Sequence, residues 1–130
     1  MRAAAACALG LALGLAAGEA PAQSLAASDY SLQCRGCHGA DGAGVAGRVP
    51  SLRGVAALLE TSAGRARLLA VPGVRQASVS DERLAALLTW VAARFAPSGA
   101  APAFAPLTAE GVAAGRGRRA AERGGQRDVH

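Results

Sequence analysis

Apolar side chains recur at Leu84, Leu87, Leu88, Val91 and Phe95. This three-and-four spacing predicts a helix from Asp81 to about Phe95 with one buried stripe. Ser80 is its candidate N-cap, Asp81 and Glu82 put negative charge in its first turn, and Pro97 stops it. Leu25, Ala26, Tyr30 and Cys34 keep the same period and predict a first helix from Leu25 to Cys34. Two shorter helices are expected over 54–60 and 63–70, the second after a Thr61-Ser62 capping signal. No run alternates apolar and polar positions, so no strand is expected and the fold class is all-α. Between the first two helices, Gly36, Gly39, Gly42, Gly44 and Gly47 oppose regular structure and allow backbone to run close to a ligand.

Composition shifts after Pro97 towards Ala, Gly, Pro and Arg. Thr108 can cap a helix through Val112, but Gly111, Gly115 and Gly117 each oppose it by about 1 kcal/mol relative to Ala. Disorder is expected beyond Gly115, while Phe104 and Leu107 are expected to tuck back onto the core. The arginines at 116, 118, 119 and 123 read as a solvated run.

The amino end has the pattern of an export signal: Arg2, an apolar run from Ala3 to Ala17, and Ala20-Pro21-Ala22 as a small-x-small cleavage site. The run is shorter than the roughly 18 apolar residues that a spanning helix demands, so removal is favoured over anchoring and no stable membrane span is expected afterwards. Cleavage after Ala22 takes Cys7 away and leaves two cysteines, Cys34 and Cys37. The expected organisation is a signal at 1–22, one domain at 23–97 and an Ala/Gly/Arg-rich extension at 98–130. With 1 Trp, 1 Tyr and 2 Phe in the chain, the domain's own core is modest. All 14 basic residues are Arg, and the net charge is +5. Sparse aromatics and the export signal argue against a nucleic-acid partner.

Cys34-Arg35-Gly36-Cys37-His38 carries the candidate chemistry. Two thiols three apart followed by an imidazole form the attachment signature of a c-type haem, with both sulfurs on one face of a helical turn and His38 as proximal iron ligand. A thioredoxin-like redox pair needs a βαβ context that the chain lacks. A zinc site needs a fourth ligand besides Cys34, Cys37 and His38, and only the sequentially remote His130 offers one.

The run from Cys34 to Gly44, in which Cys-x-x-Cys-His continues into Gly-Ala-Asp-Gly-Ala-Gly, resembles the haem segment of small bacterial class I cytochromes c. Val49-Pro50-Ser51-Leu52-Arg53-Gly54 is similar to that family's Pro-x-Leu-x-Gly segment, whose proline carbonyl accepts a hydrogen bond from the proximal histidine. Tyr30 lies where the family carries an aromatic that packs on the last helix, and Leu87 with Trp90 resembles the partner face. The resemblance spans roughly residues 26–95. It implies short helices wrapped around one covalent haem c, attached through Cys34 and Cys37, ligated by His38 and supported by Pro50. It also implies a periplasmic location and redox protein partners, a dehydrogenase or an oxidase.

The family usually supplies a methionine before its last helix as the sixth iron ligand. Here Met1 is the sole methionine, and Val71 stands in the corresponding stretch. The remaining candidates are water or an open position, then His130, then Tyr30 or the amino terminus at Gln23. Bringing His130 across the haem closes a long loop at a cost of several kcal/mol, by order of magnitude. The expected function is single-electron carriage without catalysis; a gas-binding or sensing haem protein is the alternative, and Arg75 reads as a solvent-facing loop arginine in preference to one close enough to influence a ligand. Weak peroxidase activity has little acid/base support. Because a haem plate would complete the modest core, the haem-free form is expected to be poorly folded.

Overall fold

The computed structural model describes residues 20–98 and 103–125. Among these residues seven α-helices follow one another: α1 (Ala20–Gln33), α2 (Arg35–His38), α3 (Val55–Leu59), α4 (Ser62–Ala70), α5 (Pro72–Arg75), α6 (Asp81–Arg94) and α7 (Ala109–Gly125). A 3₁₀ turn at Leu52–Gly54 leads into α3. The protein is all-α; among the described residues extended pairing is confined to one bridge, Val45 with Val49.

The α6 stripe is the centre of the core, with Leu84, Leu87, Leu88, Val91 and Phe95 all buried. Ser80 caps α6 by accepting a hydrogen bond from the Arg83 amide at 3.2 Å, and Thr61 caps α4 through the Gly64 amide at 3.0 Å. α1 lies against α6. There Tyr30 sits 5.6 Å from Trp90 and 5.2 Å from Phe95, ring centre to ring centre, and the tilted geometries favour edge-to-face attraction. The buried face of α1 differs from the expected one at two positions. Leu25 is exposed, and Asp29, polar and 1 % exposed, takes a place in the interior. Burial of that carboxylate is offset by Arg83, whose Nε donates to Asp29 Oδ2 at 3.1 Å and whose Nη2 pairs with Oδ1.

The carboxyl-terminal segment departs most from expectation. Instead of turning disordered beyond Gly115, the chain is helical through Gly125. Thr108 caps this helix through the Gly111 amide at 3.1 Å. Contacts with α4 and α6 outweigh the glycines' poor propensity. Val112 is 0 % exposed and Leu107 is buried in the same core, while Phe104 packs against it. Gly115 touches α4 so closely that an added Cβ would lie 2.5 Å from Leu69 Cδ1. Arg116 is no solvated member of an arginine run: it donates to Asp81 Oδ1 at 2.8 Å and to the Ala77 carbonyl at 3.2 Å. The segment read from composition as an extension after residue 97 thus completes the core that α6 begins.

Candidate cofactor site

α1 ends at Gln33, and the motif forms the next helical turn. The Cys34 carbonyl accepts from the Cys37 amide at 3.2 Å and the His38 amide at 3.0 Å. Gly36, expected to oppose regular structure, is accommodated in this turn. Its thiols are free rather than joined, with Cys34 partly buried and Cys37 exposed. Burial, and secondarily the Asp29 carboxylate, raises the Cys34 thiol above its ordinary value, so it is a protonated thiol at neutral pH.

The following loop brings Pro50 back to His38. The His38 Nδ1 lies 3.0 Å from the Pro50 carbonyl oxygen, and an acceptor there selects the Nδ1–H tautomer, in which Nε2 keeps its lone pair. The loop is held by the Gly44 amide donating to the His38 carbonyl at 3.0 Å and the Leu52 amide donating to the Gly42 carbonyl at 2.8 Å. Gly44 has φ +70°, and a Cβ there would lie 2.3 Å from the Val49 oxygen and 2.7 Å from the Pro50 oxygen. Only a residue without a side chain lets the histidine's acceptor come this close.

Cys34, Cys37 and His38 border a cleft of about 140 Å³. Leu52 and Val55 line one part of it and Leu84, Leu87, Leu88 and Val91 of α6 another. Leu68, Val71, Val74 and Ala77 complete an apolar wall. A second hollow, about 630 Å³, lies between α1, α6 and the start of α7 and includes Gln23 and Trp90 but neither motif cysteine nor His38. The smaller cleft is the one that the motif residues border.

The remaining ligand candidates fall outside this cleft or outside the described residues. Tyr30 donates its hydroxyl to the Gly39 carbonyl at 2.6 Å, and burial, then Cys34 and Asp41, raises its pKa against the phenolate form. Gln23 borders the other hollow. Arg75 does not line the cleft. Met1, Cys7 and His130, and most of the expected signal segment, lie outside the described residues. Among the described residues no three His, Cys, Asp or Glu side chains converge as they would around a metal ion held by protein ligands alone.

Sequence reasoning missed Asp29 with Arg83 and Arg116 with Asp81. A polar residue one position before Tyr30 on the inward face of α1 was the available signal for the first pair; the second has none in local sequence. Comparison with family models, curated proteins and solved structures finds no match for this chain.

The donor set fits a covalently held haem. Two free thiols on one helical turn border an apolar cleft, beside an imidazole whose Nδ1 has an acceptor and whose Nε2 would be the nitrogen offered to a haem iron.

Proposed function

We propose that the chain is an exported c-type cytochrome that carries single electrons between redox proteins in the periplasm. The observation that carries this reading is the placement of Cys34, Cys37 and His38 along an apolar cleft, with the His38 Nδ1 held 3.0 Å from the Pro50 carbonyl.

When bound, the haem would supply a one-electron iron couple. Cys34 and Cys37 would tether it by thioethers, so that it cannot leave between partners. His38 would ligate through Nε2 while Nδ1–H donates to Pro50, fixing both tautomer and ring orientation. The Leu and Val side chains of α6 would exclude water from the plate and lower the local dielectric, which tunes the iron's potential. Cys37, Ala40, Asp41 and Ala43 are exposed along the motif turn and loop. Together with the haem edge this rim would form a small, transient docking face suited to a dehydrogenase or an oxidase.

The test is rapid mixing of the reduced, haem-loaded protein with an unrelated oxidised soluble redox protein. Stoichiometric one-electron reoxidation at a rate set by partner concentration is expected. Reoxidation no faster than with dissolved oxygen alone would contradict electron carriage.

A further inference from the structure

We propose that the haem in this cleft receives no sixth ligand from the described chain and that its far side accepts a small neutral diatomic molecule of the carbon monoxide or nitric oxide type. This inference rests on the haem reading above. Its basis is the chemistry of the cleft lining. Among the lining side chains, nitrogen, oxygen and sulfur atoms belong only to Gln33, Cys34, Cys37 and His38.

Each of these is either committed or unsuited to iron. Both thiols serve attachment, and His38 serves the near side. The Gln33 Oε1 accepts from the Ser78 amide at 3.2 Å, and a carboxamide is not among the side chains that ordinarily hold haem iron. Tyr30, the nearby phenol, spends its hydroxyl on the Gly39 carbonyl and its ring on Trp90 and Phe95. The wall formed by Leu68, Val71, Val74 and Ala77 is hydrocarbon, and Val71 is 44 % exposed, which puts the wall within reach of solvent.

These properties select the ligand. A charged anion entering a mainly hydrocarbon pocket with no cationic side chain in its lining, and the Gln33 carboxamide nitrogen as its one uncommitted side-chain donor, loses hydration that is little replaced, whereas a neutral diatomic loses little. Its lone pair would form a dative bond to ferrous iron. Water, if present, leaves as water, and no electron changes hands.

The test uses the full haem-loaded chain, reduced and titrated with carbon monoxide, with covalent haem measured on the same sample by its pyridine adduct. A high-spin ferrous spectrum that shifts saturably with carbon monoxide is expected. A low-spin ferrous spectrum indifferent to carbon monoxide, in a sample that does carry covalent haem, would overturn the open site while leaving the haem reading intact. If a chain lacking residues 126–130 then becomes reactive, the tail supplies the closing ligand and the open site in the full chain is equally overturned. A sample without covalent haem would instead overturn the haem reading itself.

Discussion

Gly44 is the residue on which the histidine's orientation depends most. At its φ of +70° any L side chain is strained by about 1 to 2 kcal/mol, and a Cβ would also meet the Val49 and Pro50 carbonyls. Gly47 has nearly the same φ, +74°, with nothing within 4 Å. Urea unfolding should therefore show Gly47→Ala costing about 1 to 2 kcal/mol and Gly44→Ala roughly twice that; equal losses would mean that the close approach to Pro50 is unimportant. Cys34 gives a pH dependence. Its folded pKa is raised above the ordinary 9.0 by burial, so the folded state holds its proton longer than the unfolded state does. Stability is then full below about pH 9 and falls as pH rises through the folded value. The haem-free protein should show this alkaline loss, and Cys34→Ser should remove its lower-pH part, leaving that of Tyr30, whose pKa is also raised. An unchanged profile would contradict the burial of Cys34. The motif was legible in sequence because thiol spacing is local. The Asp29–Arg83 pair was not, since its members are 54 residues apart.

α6 was legible almost to the residue: a strong period, an N-cap and a stop all agreed, and the helix runs Asp81–Arg94 as its pattern implies. α7 was not, because local propensity and tertiary packing conflict along it and packing wins. Two glycines separate those effects. Gly117 has open space around it, so Gly117→Ala should stabilise the protein by up to about 1 kcal/mol through helix propensity. At Gly115 the added methyl meets Leu69 side-chain atoms at 2.5 and 3.1 Å, so Gly115→Ala should lower stability despite the same propensity gain. Thermal melts of the two variants decide this: shifts of the same sign would mean that α7 does not pack on α4 as described. At the core side of the helix, Val112→Ala removes two fully buried methyl groups and should cost roughly 2 kcal/mol.

The molecule is a small helical core closed from both ends of the chain, α1 and α7 both resting on α6. Arg65 adds a tie between distant segments, its Nε donating to the Leu59 carbonyl at 2.7 Å and its Nη2 to the Ala105 carbonyl at 2.8 Å. Leu107 tucks back as expected, but composition hid the rest of this closure, since the Ala- and Gly-rich stretch after it looks like linker until Val112 is seen inside. The aromatic content remains low, and the cleft beside Cys34, Cys37 and His38 is bordered by apolar side chains that a covalent plate would cover. The proposed haem would complete that surface, so loading should raise the melting temperature and the haem-free chain should melt earlier. Among the described residues no helix is long and apolar enough to cross a membrane. The claim on which the functional account depends is covalent haem at Cys34 and Cys37. Its most direct test is the intact mass, under denaturing conditions, of the chain exported by a host competent in cytochrome c maturation. The account predicts a mass of polypeptide plus one haem for the wild-type chain and bare polypeptide for the Cys34→Ala/Cys37→Ala variant. A wild-type mass without haem would contradict it.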